Sequence, residues 1–347
     1  MFESLGFEAL TAPQVAVFFA LALGAAYGIF AEQTKFCFRR ALIGDDRRAA
    51  MGVWLTALAA AILGTQAAVW QGWISFDDHR FMNADLPWLA IVIGGLLFGA
   101  GMVLTRGCAS RLTVLTGTGN LRALTVLAVF AIAAHATLKG TLAPIRTTLS
   151  AQTLALESAA LPGNPLIWTA LLALAALVFA LRSGARSGML ILAALLGLLV
   201  PLGWVGTGFI LYDDFDPIAL ESLSFTSPWS ETLFWSIAST SIPAGFGVGL
   251  IGGVLGGALF SSLAARRFAW QSFSSPRETG RYLTGAVLMG IGGVLAGGCT
   301  VGAGLAGVPT LSIAAVAALA SIAVGTLATN AVLSSQTAGA SGAVPAE

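Results

Sequence analysis

The chain has 347 residues, 57% of them apolar and only 10% charged, with a net charge of +1. A soluble domain of this size carries about 25% charged residues to cover its surface, so the composition points to a chain that lives in a bilayer. The near-neutral balance leaves no polybasic or polyacidic surface and no electrostatic case for nucleic acid.

The first residues, Met1 to Ala12, hold Glu3 and Glu8 and no basic residue. That is the reverse of a signal-peptide leader, so the first apolar run is expected to remain as a membrane span. Runs of roughly 18 to 25 apolar residues cross ~30 Å of hydrocarbon as a helix. Nine are read in chain order: about 13–31, 49–70, 87–105, 120–138, 164–182, 187–205, 231–262, 282–297 and 309–331. The seventh is too long for one straight span and contains Pro243, which predicts a short interfacial helix and then a span from about Ala244. The eighth runs into a glycine cluster. The polar, small-residue tail 333–347 is expected to be disordered, leaving 1–332 as one integral membrane domain.

Basic residues set the expected orientation. With the N-terminus outside, the inner loops receive fourteen Lys and Arg, among them Lys35, Arg39, Arg40, Arg106, Arg111 and Arg281. The outer loops receive three, Arg80, Lys139 and Arg146, and the long outer segment 206–230 carries Asp213, Asp214, Asp216 and Glu221. The positive-inside rule then places the N-terminus outside and the C-terminus in the cytoplasm of a bacterial inner membrane.

An internal repeat lies on top of this pattern. At a constant offset of 191, Gly94, Leu97, Gly99, Gly101, Val103, Leu104, Gly107 and Cys108 recur as Gly285, Leu288, Gly290, Gly292, Val294, Leu295, Gly298 and Cys299. The copies, about 87–138 and 282–331, begin five spans apart and so enter the membrane from opposite sides. This is the inverted repeat of many secondary transporters, which places a substrate site where the copies meet near the midplane.

Each copy ends in a Gly-Cys step followed by hydroxyl and small residues: Gly107-Cys108-Ala109-Ser110 and Gly298-Cys299-Thr300. A helix broken there exposes backbone groups that are tolerable at membrane depth only around a cavity or within protein. Backbone amides in such a turn suit an anion. Thiols are soft, weak donors that suit a terminal sulfur better than a hard oxyanion. A buried free cysteine ordinarily serves as a small hydrophobe. Register-matched Cys108 and Cys299 at helix breaks favour function over that reading, whereas Cys37, in Phe36-Cys37-Phe38-Arg39-Arg40, stands evenly between the two on its residues alone.

Other features read as scaffold. The small-xxx-small series Gly24–Gly28 and Gly245–Gly249–Gly253–Gly257 serves close helix packing. His135 reads as interfacial packing rather than a proton relay, and Arg106 and Arg111 as markers of the membrane boundary. The segments 73–78 and 209–214 read as aromatic interfacial caps without chemistry. Ion-coupled pumps place ionisable residues inside the membrane, and the inner spans here carry almost none. No close cysteine pair is visible in sequence, since the spacings are 71 and 191 residues; a metal site, a cofactor and a disulfide framework are therefore not expected.

On the Gly-Cys repeat ends and the Phe-Cys-Phe-Arg context of Cys37, the chain resembles the YeeE/YedE family over nearly its whole length. The resemblance implies an all-α polytopic fold of nine spans, hourglass-shaped, with loops dipping to its centre. It further implies that Cys37, Cys108 and Cys299 line a thiosulfate pathway, with Gly107, Ser110, Gly298 and Thr300 in support. A separate cytoplasmic TusA-like sulfur-carrier protein is then the expected partner, beside membrane lipid. The alternative is a membrane thiol or persulfide-handling protein of sulfur or selenium metabolism; an enzyme is not the favoured reading.

Overall fold

A computed structural model describes residues 10–213 and 216–341, with side chains to residue 335. Thirteen α-helices carry nearly all of the described structure, and the strands reduce to a two-residue antiparallel ladder, Asp85–Leu86 against Leu154–Ala155. The long ones are α1 (Ala12–Thr34), α3 (Arg47–Trp70), α4 (Trp88–Leu104), α6 (Leu121–Lys139), α8 (Pro165–Leu181), α9 (Ser187–Val205), α11 (Phe246–Ala264), α12 (Pro276–Leu295) and α13 (Ile313–Ser341). Short helices α2 (Phe38–Ile43), α5 (Ala109–Gly117), α7 (Ala143–Ser150) and α10 (Thr226–Ala238) fall between them. Eight helical stretches among the described residues are long and apolar enough to cross a membrane, and α8 is a shorter apolar helix. The protein is a polytopic all-α membrane protein.

Local signals set the helix starts. Asn120 accepts from the Ala123 N–H at 3.0 Å and Asn164 from the Leu166 N–H at 2.9 Å. Ser275 accepts from Glu278 N–H at 3.2 Å, and prolines occupy the first turns of α8 and α12, where no amide partner is lost. The over-long seventh run divides as Pro243 predicts, into α10 and α11. The ninth run starts later than expected, because residues 300–310 form a π-helical segment, Thr300–Gly307, and a 3₁₀ turn, Val308–Thr310. Helix α13 continues to Ser341, past position 333 where a disordered tail is expected; 342–347 lie outside the described residues.

In chain order the long helices fall into two sets of four separated by α8, the sets pack on each other, and α8 lies against α3. In the first set stand α1, α3, α4 and α6; in the second, α9, α11, α12 and α13. Helix α1 packs on α11 as α9 packs on α3, and α4 packs on α13 as α12 packs on α6. At the α4–α12 crossing a Cβ on Gly94 would strike Gly292 and Ala296, and one on Gly285 would strike Gly101 and Leu104. Exchanging each residue for its repeat mate at the offset of 191, Gly94 for Gly285 and Gly292 for Gly101, turns one pair into the other, and the two helices run antiparallel. Reciprocal contacts of this kind are those of a two-fold axis.

Glycine makes these approaches possible. Cβ atoms on Gly24, Gly253 and Gly257 would enter the backbone of Leu250, Leu21 and Ala25, so the α1–α11 contact requires the small-xxx-small spacing. The outward faces are correspondingly apolar: Leu166, Ile167, Leu174 and Leu181 of α8 are each more than 60% exposed, a surface suited to lipid rather than water.

Candidate transport site

Three of the helix breaks share one local geometry, and a cysteine occupies the same place in each. Lys35, Arg106 and Gly297 adopt positive φ (52°, 58° and 74°), two residues before Cys37, Cys108 and Cys299. Each cysteine is the N-cap of the short segment that follows: α2, α5 and the π-helical segment. Its carbonyl accepts the first helical bond, from Ala41, Leu112 and Ala303 respectively. Its thiol faces the amide three residues on, as when the Gly302 N–H donates to Cys299 Sγ at 3.4 Å. Two of the left-handed positions hold Lys and Arg instead of glycine, a backbone cost of order 1–3 kcal/mol that local packing sustains.

All three thiols are free and buried. Cys37 and Cys108, 71 residues apart in sequence, meet side chain to side chain. The absence of a close pair inferred from spacing therefore does not hold in space. Cys108 Sγ lies 3.3 Å from Ser110 Oγ, and the Thr300 hydroxyl reaches the same thiol from the other copy. Cys299 sits one step further, in electrostatic range of Cys108, with the Phe225 N–H at the start of α10 turned toward it. The Tyr27 hydroxyl is fully buried beside Ser110 and has no hydrogen-bond partner of normal geometry.

The glycines of the two steps act differently from the expectation. Gly107 does not present a free amide: its N–H donates to Met102 O at 3.1 Å, and its carbonyl accepts from Thr105 Oγ1 at 2.9 Å, closing the end of α4. Gly298 is required by packing, since a Cβ there would lie 2.8 Å from Ala303 N. Amides at the breaks come instead from the first turns of the following segments.

On one side of the cysteines a cavity of about 670 Å³ opens between residues 74–81 and residues 207–212 and 218–224. Its floor is Gly302 and Ala306 of the π-helical segment, and Ser224 borders it. The segments 73–78 and 209–214, read from sequence as inert caps, thus border a cavity through Ile74, Ser75, Asp77, Asp78 and Tyr212, with Trp73 stacked on Phe209 at 6.1 Å; position 214 lies outside the described residues. Arg80 retains accessible surface although protein surrounds most of it, as befits the wall of a deep vestibule. Burial pushes the His79 imidazole down to about 4, helped by Arg80, so it is neutral at physiological pH. Burial raises the Glu221 carboxyl to about 7, Glu231 adding to the rise and Arg80 opposing it.

On the other side lies a group of arginines. Arg106 and Arg281 sit within electrostatic range of Arg39, and Arg111 within range of Cys37 and Cys108. The Nε atoms of Arg39 and Arg281 are buried without a partner. Arg111, read from sequence as a boundary marker, stands on the first turn of α5 with its backbone N–H turned to the Cys108 thiol. His135 does what its sequence context indicates, bonding Ser230 Oγ at 3.0 Å and stacking on Phe234 at 5.1 Å.

A family model described as "Sulphur transport" matches residues 33–328, which includes the three cysteines and the residues that line the cavity. The chain belongs to that family. Among curated proteins it is similar to the thiosulfate transporter TsuA of Escherichia coli (strain K12), 26% identical over 317 residues covering 82% of this chain and 85% of that protein. It is also similar to the thiosulfate transporter TsuA of Spirochaeta thermophila, 27% identical over 326 residues covering 84% and 92%. The resemblance read from the Gly-Cys steps is the family that the match gives, and the chain is a membrane transport protein of sulfur.

Proposed function

We propose that the chain carries thiosulfate across the bacterial inner membrane, from the vestibule at Arg80 to the arginine-rich face. One observation supports this most: the donors follow one another without a gap. The vestibule floor holds Gly302, whose amide bonds Cys299; Thr300 beside Cys299 reaches Cys108; Cys108 meets Cys37; and Cys37 adjoins Arg39 and Arg111. The positive-inside rule assigns the arginine face to the cytoplasm, which makes the direction uptake.

Taking a dianion out of water costs at least several kcal/mol per charge. A hydrogen bond to a charged group returns about 1.5–3 kcal/mol, so no single thiol suffices. Cysteine S–H groups contact the soft terminal sulfur. Ser110, Thr300 and the first-turn amides serve the oxygens, and the field of Arg111 favours the anion at the Cys37–Cys108 step. Among the described residues the one carboxylate buried in a span, Glu32, is already held by Arg267 and Ser261, so consumption of the sulfur inside, by a TusA-like carrier, draws net uptake. The test is growth on thiosulfate as sole sulfur source in a host without its own importer. Expression of this chain restores growth; no growth from a chain that reaches the membrane would refute the reading.

The adjacency of Cys37 and Cys108 favours a second reading, thiol chemistry at that pair. Mass spectrometry of protein exposed to thiosulfate separates the two. Free thiols throughout accord with transport, and a persulfide that forms and turns over accords with chemistry.

A further inference from the structure

We propose that the vestibule is a loading site for a small divalent sulfur oxyanion, held by the Arg80 guanidinium, and that Glu221 is the counter-charge which the arriving anion displaces. The proposal rests on the transport reading above and adds the site where the anion first binds.

The cavity is large enough for the purpose. At roughly 30 Å³ per water, about 670 Å³ holds on the order of twenty waters, so the anion enters hydrated and sheds water only at the floor. Arg80 makes no ion pair within 4 Å among the described residues; its guanidinium lies 5.1 Å from the Phe81 ring centroid. The residue is not on a loose loop. The Phe81 carbonyl accepts from Ser312 Oγ at 2.6 Å, and the Phe81 ring fills the space where a Gly307 side chain would stand. Arg80 is thereby fixed to the segment that carries Cys299, and it lies within electrostatic range of that thiol. Two of the residues that line the cavity carry buried donors without a hydrogen-bond partner, Trp204 Nε1, on a residue only 3% exposed, and Ser224 Oγ. A buried donor left unpaired in a cavity that also holds an unpaired cation marks a place for an acceptor.

Glu221 supplies the competing charge. Thr207 Oγ1 pins its backbone, donating to Glu221 O at 2.8 Å and accepting from Glu221 N–H at 3.0 Å. Its carboxylate has no hydrogen bond among the described residues and lies within electrostatic range of Arg80. The other titratable and charged groups around it are Asp77, Asp78 and Tyr212 on the cavity wall, Asp213 beside them, and Glu231 from α10. His79 is neutral across the relevant range and adds nothing. Arg80 is thus the one described cation of a wall otherwise acidic, and every negative charge removed there favours an anion. Protonating Glu221, whose carboxyl titrates at about 7, leaves Arg80 to the substrate, so affinity rises as pH falls through that value.

Uptake of labelled thiosulfate into proteoliposomes between about pH 6 and pH 8 tests this, with KM and maximal rate resolved separately. Arg80→Gln should raise KM about tenfold or more with little change in maximal rate, and Arg80→Lys should recover part of it. Glu221→Gln should lower KM at the alkaline end and flatten its pH dependence. In parallel, binding of labelled thiosulfate to purified Cys299→Ala protein should persist while transport is lost. Wild-type KM in Arg80→Gln, or a wild-type pH profile in Glu221→Gln, would overturn the loading site and leave the cysteine pathway standing. A wild-type chain that moves no thiosulfate would instead sink the transport reading, and binding to purified wild-type and Arg80→Gln proteins would still decide the site.

Discussion

Cys108→Ala lowers thiosulfate uptake by about ten- to a hundredfold, the equivalent of one hydrogen bond to a charged group lost where nothing replaces it. Cys108 is the hinge of the three thiols: it touches Cys37, Ser110 and Thr300 together, and only 1% of it is exposed. Removing its S–H leaves the passing anion with fewer donors at the most desolvated step. Cys108→Ser is the informative companion. A hydroxyl of similar size keeps a donor but is hard where sulfur is soft, so the serine variant should lose thiosulfate uptake more than it loses uptake of sulfite or sulfate. The readout is the ratio of initial rates for the three anions. An unchanged ratio in Cys108→Ser would mean that the thiol contributes only volume, which is what a small buried hydrophobe at this position predicts.

Gly302→Ala should reduce uptake by about tenfold, and the same change with Ser224→Gly should restore most of it. The reason is the geometry of the vestibule floor. A Cβ on Gly302 would lie 2.7 Å from Ser224 Oγ and 3.3 Å from Ser224 Cβ, inside contact distance for both. The added methyl therefore crowds Ser224 where both residues line the cavity, at the residue whose amide bonds Cys299. Overpacking of this kind costs typically about 1–3 kcal/mol, enough to be felt as a barrier without unfolding the bundle. Labelling of Cys299 by a membrane-impermeant thiol reagent gives a second readout: slow in Gly302→Ala and restored in the double variant. If the single and double variants take up thiosulfate equally, the floor is not on the path.

Most of the membrane architecture was legible in the sequence because it follows from one scalar, hydrophobicity, sampled over a span's length. The break at Pro243 and the glycine crossings were legible too, since proline removes a donor and glycine alone permits backbone-to-backbone contact. The repeat pointed to Cys108 and Cys299. It did not point to Cys37, although the same left-handed residue and N-cap thiol recur there. The usual glycine signal of a helix end is present at Gly297 but replaced by Lys35 and Arg106 in the other two breaks.

Four features were out of reach for a physical reason. A basic residue near a span end looks the same in sequence whether it stands apart from the thiols or within electrostatic range of them, so Arg111 read as a topology mark. Residues 74–80 gain their chemistry only by facing 207–212 and 218–224 across a cavity, a relation that no local pattern records. Glu221 drew no interest as one acid in an acidic outer segment; burial and its neighbours are what raise its carboxyl to about 7. The meeting of Cys37 and Cys108 is likewise tertiary, made by the return of α5 against α1.

The measurement that bears most directly on the account is uptake of labelled thiosulfate by proteoliposomes containing the chain with Cys37, Cys108 and Cys299 all replaced by alanine. The reconstituted protein should show the helical content and detergent elution of the wild type, since each cysteine is a small buried residue and alanine is well tolerated at such sites. The account predicts uptake no faster than in protein-free vesicles. Uptake at the wild-type rate would contradict it, and would make the three thiols packing alone.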